Sequence, residues 1–287
     1  MRLHSVVLSA VALVVAFSAE PAHAQDPQTQ QPPPSASAPV ASDPDVRVDP
    51  LQPDFNLAAL PTTLRLPRNK MSFRVTHRFT RSLGRGDFGD LLNDFFGFDS
   101  GAQIGLEFRY GLLPGTQVGI NRTSDRTIEI FGQHSLLQQK PDGHPLSLDI
   151  IGTFEGRNNL RDQKSPAIGV LVSRKAGRFA ALYAEPIFVF NTNPFDDGGD
   201  EDTAMIGLGA RLRVRPSTYL FYEITPRVSG YRPGVDQMSF GVELRSGGHL
   251  FQANFSNGVG TTLGQIARGG VSNDSWYIGF NISRKFF

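Results

Sequence analysis

The chain has 287 residues, with 28 basic and 27 acidic side chains, a formal net charge of +1 and no cysteine. A near-zero charge without a strongly basic patch gives no support for nucleic-acid binding, and the absence of cysteine excludes disulfides, thiolate metal sites and cysteine nucleophiles. Beyond the N-terminus no apolar run reaches the roughly 20 residues of a membrane-spanning helix, so an α-helical membrane protein is excluded but a β-barrel is not.

The N-terminus has the pattern of a secretory signal peptide. A basic start at Arg2 and His4 precedes an apolar run, and Ala22 and Ala24 occupy the small-residue positions of a signal peptidase site. The apolar run is too short to span a bilayer, which argues against a membrane anchor. We therefore predict export, with residues 1–24 removed by cleavage after Ala24.

Residues 25–67 are rich in Pro, Gln, Ser, Ala and Asp. A segment of this composition buries too little apolar surface to offset the entropy lost on ordering. We predict a disordered periplasmic segment, which serves either as a passive spacer or, through its extended Pro-rich run at 31–34, as a tether to a partner. The barrel domain is predicted to follow at 68–287.

From Met71 onward apolar and polar residues alternate, as in Phe73 and Val75 against Arg74 and Thr76. A strand with this period of two turns one face to apolar surroundings and the other to polar surroundings. The pattern predicts about twelve strands, within a range of about 10 to 14. Their approximate spans are 70–82, 101–111, 115–123, 126–137, 144–156, 165–175, 178–191, 203–214, 217–229, 236–246, 249–257 and 275–287.

The connections between these strands alternate in length. Long loops are predicted at 83–100, 192–202 and 258–274, and tight turns at 112–114, 176–177, 215–216 and 247–248, with a somewhat longer turn at 140–143. Long loops outside and short turns inside are typical of outer-membrane barrels, and lipid forces the sheet to close because it cannot hydrogen-bond a strand edge. We predict an all-β, closed antiparallel transmembrane β-barrel in the bacterial outer membrane, in contact with lipid and lipopolysaccharide.

A closed barrel in lipid turns its polar face toward the lumen, where opposite charges are expected to form a lattice of ion pairs. Eight-stranded barrels are filled by side chains and barrels of sixteen or more strands hold a channel, so about twelve strands predict a narrow passage at most. The predicted lumen-lining residues are Arg74, Arg78, Glu107, Arg109, Glu129, Glu185, Arg211, Arg213, Glu223, Arg227, Glu243 and Arg245. Inner glycines such as Gly207 and Gly209 are predicted to leave room for these long side chains.

The first long loop contains apolar residues at helical spacing: Phe88, Leu91, Leu92, Phe95 and Phe96. They fit either a constriction folded into the mouth of the barrel or a helix lying at the membrane interface. An acidic stretch at 196–202 is interpreted as a solvated loop tip, because its spacing does not match that of a Ca²⁺-binding loop.

No catalytic, cofactor-binding or metal-binding residue is predicted. His134 and Ser135 are adjacent in a predicted strand and therefore point to opposite faces, which rules them out as a nucleophilic pair. The sequence contains no G-x-S-x-G elbow either. We predict that the protein is not an enzyme, and a lipase on the barrel surface is a remote alternative.

Several motifs together resemble those of an uncharacterised family of membrane-bound β-barrel proteins from bacterial outer membranes. They are Phe73, His77-Arg78-Phe79, 96–99, Tyr110-Gly111, 136–139, 223–226, 251–257, Thr261, Thr262, Gln265 and 276–287, so the resemblance covers 65–287. It implies the fold and the location but no reaction or substrate. The C-terminal aromatic residues also resemble the signal read by the barrel-assembly machinery, with Phe287 in phase only if the last strand bulges near Arg284.

Two functions of different classes remain open. The prediction is a narrow channel or transporter for a small solute. The alternative is a non-conducting structural barrel whose lumen is closed by salt bridges.

Overall fold

The computed structural model describes residues 49–195 and 201–286. The predicted signal peptide, the first part of the predicted disordered segment, most of the acidic loop and Phe287 lie outside the described residues. No helix in the described ranges is long and apolar enough to cross a membrane.

The described chain is dominated by β-strands, joined by short helical segments. The strands are β1 Met71–Phe79, β2 Ala102–Leu113, β3 Thr116–Thr123, β4 Ile128–Leu137, β5 Ser147–Gly156, β6 Asp162–Ala176, β7 Ala180–Val189, β8 Thr203–Arg215, β9 Thr218–Thr225, β10 Arg227–Gly230, β11 Gln237–Ser246, β12 His249–Ser256 and β13 Tyr277–Phe286. The helices are α1 Phe88–Asn93, α2 Arg157–Leu160 and α3 Leu263–Ala267, with a 3₁₀ turn at Phe95–Gly97.

Antiparallel pairing runs around the whole ring and closes it. β1 pairs with both β2 and β13, and β8 pairs with both β7 and β9. β10 continues β9 beyond Pro226 but pairs only with β8, so twelve strands form the closed barrel and β10 is an additional strand. Proline has no amide hydrogen to donate to the ladder, which accounts for the interruption at Pro226. The predicted barrel is confirmed, and the ninth predicted strand is divided in two.

The side chains are distributed as a lipid-embedded barrel requires. Along β2, Leu106 and Phe108 are 45% and 49% exposed on the outer face, whereas Glu107 and Arg109 are 6% and 3% exposed on the inner face. This arrangement reverses that of a water-soluble protein, in which charged side chains are seldom buried. The exposed apolar face is the surface that contacts acyl chains.

The last strand keeps one register along its length. Pairing with β1 is continuous from Met71 opposite Phe286 to Arg78 opposite Gly279, so no bulge forms near Arg284. Phe286 faces outward in phase with Ile282.

Residues 49–67, called the plug below, do not follow the prediction for the segment 25–67. They form a hairpin inside the barrel, and Leu57, Ala58 and Leu60 are fully buried. The plug enters at the short-turn rim, where Asp49 forms a 2.7 Å ion pair with Lys175, and it turns back at 56–61. The prediction of disorder is wrong for these residues, because the inner wall supplies the packing and hydrogen bonds that the segment cannot supply itself.

The residues of the predicted mouth constriction lie in the first long loop, and most of them are exposed. Phe88, Leu92 and Phe95 are 61%, 49% and 61% exposed, and Leu91 is the buried member of the set. Beyond them Phe98 packs edge-on against Phe79 at a centroid distance of 4.7 Å. The segment that enters the lumen is α3, which belongs to another loop.

The hairpin placement of the plug can be tested by disulfide trapping, because the chain contains no cysteine. The hydroxyl oxygens of Thr63 and Ser173 are 2.5 Å apart, which brings the two side chains close to disulfide geometry. We expect the Thr63→Cys, Ser173→Cys variant to form an intramolecular disulfide on oxidation, measured by its shift in gel mobility. Thr63→Cys with the neighbouring, outward-facing Val172→Cys is the matched control and should stay reduced; equal yields from the two pairs would contradict the hairpin.

Candidate functional site

Charged side chains on the inner face are segregated around the ring. A basic arc on β13, β1 and β2 carries Lys285, Arg74, Arg78 and Arg109. An acidic arc on β4, β5, β7 and β9 carries Glu129, Asp149, Glu155, Glu185 and Glu223. Each of these side chains is at most 6% exposed. The alternation along each strand places them all on the lumen side.

Ion pairs within the wall account for only part of this charge. Glu107 lies 3.0 Å from Arg109 and 3.8 Å from Arg74, and Arg211 contacts Glu243 at 2.7 Å. The expected lattice of ion pairs therefore forms only in part. Several charges of the two arcs are satisfied instead by chain segments that enter the lumen.

The structure places ten of the twelve predicted lumen residues in buried positions on the inner face: Arg74, Arg78, Glu107, Arg109, Glu129, Glu185, Arg211, Glu223, Arg227 and Glu243. Arg213 and Arg245 are half-buried near the short-turn rim, where Arg213 donates a hydrogen bond to the carbonyl of Pro216. Arg227 lies toward the long-loop rim and pairs with Asp236 at 3.2 Å.

The tip of the plug presents its amide hydrogens to the acidic arc. The backbone N–H groups of Ala58, Ala59 and Leu60 all donate to the carboxylate of Glu223, at 3.0, 3.1 and 3.2 Å. Three successive amides converging on one carboxylate make an anion-binding concavity of the kind that turns form. Glu223 has no ion pair among the described residues, so the plug supplies its partners.

The same tip presents its carbonyl oxygens to the basic arc. Arg74 donates to the carbonyls of Leu57 and Ala58 at 3.2 and 2.5 Å, and Arg78 donates to that of Ala58 at 3.3 Å. Asn281 also reaches the Ala58 carbonyl, at 3.1 Å. The peptide groups of the tip are thus oriented with their positive ends toward Glu223 and their negative ends toward the two arginines.

The arms of the plug are held by further polar contacts. Asp54 forms a 3.5 Å ion pair with Lys285, and the ring of Phe55 lies 5.0 Å below the guanidinium of Arg109. Gln133 donates to the carbonyl of Thr62 at 2.8 Å. Polar contacts with wall side chains therefore continue along both arms.

Two glycines on β8 make room for the tip. A Cβ atom on Gly209 would lie 2.3 Å from Leu57, and one on Gly207 would lie 2.8 Å from Leu60. Gly207 and Gly209 were predicted to leave room for long charged side chains. They admit the two leucines of the plug tip instead.

The loop between β12 and β13 fills the lumen from the opposite rim. The amide of Leu263, at the start of α3, donates to Glu129 at 3.0 Å, and the hydroxyl of Thr262 donates to Glu155 at 2.5 Å. Leu263, Ile266 and Ala267 are buried in an apolar cluster that also contains Ala59 of the plug. The two inserted segments meet there, inside the barrel.

Little space remains between the two segments and the wall. A cavity of about 20 Å³ lies among Asn56, Glu107, Arg109 and Glu129. A cavity of this size holds about one water molecule. The two segments and the wall therefore fill this part of the lumen almost completely.

His134 and Ser135 do not form a pair in the structure. His134 shares a 2.8 Å hydrogen bond with Thr116, whereas Ser135 points to the other face and accepts from Arg65 at 2.6 Å. Within the described ranges no group of three or more His, Asp or Glu side chains is placed to hold a metal ion.

The sequence matches, over residues 54–286, the family described as a membrane bound beta barrel domain (DUF5777), and the chain belongs to this family. The match confirms the resemblance noted from the sequence motifs, and it begins within the plug. No curated protein matches the chain.

Among solved structures the chain is similar to the NanC porin, with 7% sequence identity and a TM-score of 0.50 over 76% of this chain and 99% of that chain. It is also similar to the KdgM porin solved in complex with disordered oligogalacturonate, with 8% identity and a TM-score of 0.48 over 75% of this chain and 99% of that chain. At these identities the likeness shows a shared fold alone.

A larger side chain at Gly209 is expected to displace the plug tip. The variant Gly209→Val places methyl groups where Leu57 lies, and overpacking of this kind costs about 1–3 kcal/mol. In the Thr63→Cys, Ser173→Cys background, we expect Gly209→Val to lower the disulfide yield several-fold. Gly152→Val is the matched control, because Gly152 is exposed on the outer face with open space around it and should leave the yield unchanged. An undiminished yield in Gly209→Val would show that Gly209 does not seat the tip.

Proposed function

We propose that this protein is an outer-membrane channel for small solutes, and that the plug holds the channel closed in the state described here. The observation that carries the proposal is the way the lumen is filled. The wall side chains do not fill it alone. Residues 49–67 and the loop containing α3 complete the filling, and both combine buried apolar side chains with polar contacts to wall residues.

The width of the barrel supports this proposal. Eight-stranded barrels are filled by their own side chains, whereas barrels of sixteen or more strands hold an aqueous channel. A ring of twelve strands lies between these sizes, and here it encloses the hairpin of the plug as well as α3. Withdrawal of the hairpin would vacate the space that residues 49–67 occupy in the lumen.

The chemistry of the wall also supports it. Arg74, Arg78 and Glu223 are buried at 3%, 1% and 2% exposure and bind the backbone of the plug. Water can replace each of those backbone groups, so the inner wall is compatible with a hydrated lumen. The NanC porin, which has the same fold, is a porin by its name, so a barrel of this fold is compatible with transport.

The second candidate is a structural barrel that never conducts, and the same filled lumen favours it. The two candidates differ in what happens when the plug is removed. In a channel the plug is a removable occupant, whereas in a structural barrel it is a permanent part of the core.

Conductance measurements in planar bilayers separate the two candidates. We expect Gly209→Val and a variant lacking residues 49–66 to show ionic current more often than the wild type, because both free the lumen of the plug tip. Oxidised Thr63→Cys, Ser173→Cys should be silent and should regain the wild-type behaviour on reduction.

The control for correct folding is the change of gel mobility on heating that a closed barrel gives in detergent. A deletion variant that is folded by this criterion and yet carries no current would overturn the channel proposal and favour the structural barrel. Gly152→Val should behave as the wild type does.

A further inference from the structure

We propose that the position of the plug tip is a binding site for a small α-amino acid in its zwitterionic form. The inference rests on the proposed channel function and assigns a class of solute to it. It follows from the way in which a single residue of the plug, Ala58, is recognised by the wall.

Ala58 is bound at both of its backbone ends by groups of opposite charge. Its N–H donates to the carboxylate of Glu223 at 3.0 Å, and its carbonyl oxygen accepts from Arg74, Arg78 and Asn281 at 2.5, 3.3 and 3.1 Å. The recognised atoms are therefore N and O of one N–Cα–C–O unit. The ammonium and carboxylate groups of a free α-amino acid are separated by the same bonds.

A free amino acid would match the charges of this site better than the plug does. A peptide amide offers Glu223 a dipole, whereas an ammonium group offers a full positive charge and three donors. A peptide carbonyl likewise offers Arg74 and Arg78 one neutral acceptor, whereas a carboxylate forms charge-assisted hydrogen bonds, which are roughly twice as strong.

Within the described ranges, the surroundings of Glu185 also lack a cationic partner, which a bound ammonium group would supply. It is fully buried on β7, and neither of its carboxylate oxygens has a hydrogen-bond partner among the described residues. One of these oxygens would lie 3.2 Å from a Cβ on Gly207, and that Cβ would also touch Leu60, so the carboxylate borders the plug tip. A buried carboxylate without partners is costly, and a cationic group placed between Glu185 and Glu223 would relieve that cost.

Other classes of solute satisfy only part of the site. A simple anion pairs with Arg74 and Arg78 but leaves Glu185 and Glu223 unpaired. A simple cation pairs with Glu185 and Glu223 but leaves Arg74 and Arg78 unpaired. A neutral polyol brings no charge to either arc. A solute that carries both charges on one N–Cα–C–O unit can offer a partner to all four residues. The side chain at this position in the plug is a methyl group, which favours a small amino acid.

Ion current through the variant lacking residues 49–66 tests this inference with alanine as the probe. We expect added alanine to reduce the current at a concentration at least about tenfold lower than lactate, alaninamide or glycerol, which lack the ammonium group, the carboxylate or both. Glu223→Gln and Arg74→Gln should each weaken the effect of alanine about tenfold, as expected when one charge-assisted partner is removed. Asp142→Asn and Arg215→Gln, which change exposed charges outside the lumen, are the matched controls and should leave it unchanged.

A second measurement needs no deletion and therefore remains valid if the deletion variant does not fold. In Thr63→Cys, Ser173→Cys, alanine that competes for the tip position should slow disulfide formation, and glycerol should not. A variant that conducts but responds equally to alanine, lactate and glycerol would overturn the zwitterion site and leave the channel proposal standing. A folded, silent deletion variant would overturn the channel proposal itself, and an oxidation rate unaffected by alanine would then overturn the site as well.

Discussion

Lipid offers no hydrogen-bond partner to a peptide group, and this constraint determines the architecture of the described chain. A sheet of twelve strands satisfies it by closing, through the ladders between β8 and β9 and between β1 and β13. Closure then fixes the direction of every wall side chain, because alternate residues of a strand point to opposite faces. Apolar side chains such as Leu106 and Phe108 meet the acyl chains, and the charged residues between them are enclosed.

Enclosure has its own consequence, since a charge removed from water needs replacement partners. Ion pairs such as the one between Arg211 and Glu243 supply some of them. Backbone groups of the plug supply others. Glu223 accepts hydrogen bonds from three plug amides, and Arg74 donates hydrogen bonds to two plug carbonyl oxygens. The plug therefore replaces water with fixed peptide dipoles. Together with the burial of its leucines and of Phe55 in apolar clusters, these contacts explain why the segment is ordered inside the barrel.

The wall could be predicted from the sequence, whereas the contents of the lumen could not. Strand positions follow from a local period of two, and even the interruption of one strand coincides with a residue that the sequence shows, Pro226. The partners of the plug are not local: Ala58 and Glu223 are 165 residues apart in the chain. The segment 25–67 as a whole has the composition of a disordered region. Averaging the composition over the whole segment hid the local apolar residues Leu57 and Leu60. Helical spacing at 88–96 likewise revealed a helix but not the side of the wall on which it lies.

In the channel that we propose, the polar contacts of the plug favour a reversible withdrawal. A segment bound mainly through apolar side chains would lose its hydrophobic stabilisation on leaving, with nothing to replace it. The plug tip buries Leu57 and Leu60. It is also bound through Glu223, Arg74 and Arg78, and water or a charged solute can take over each of those hydrogen bonds. Because the plug continues directly into β1, a withdrawn plug stays at high effective concentration near the lumen and can return. In the proposed channel one charged wall would serve both states, binding peptide groups when the barrel is closed and water with solute when it is open.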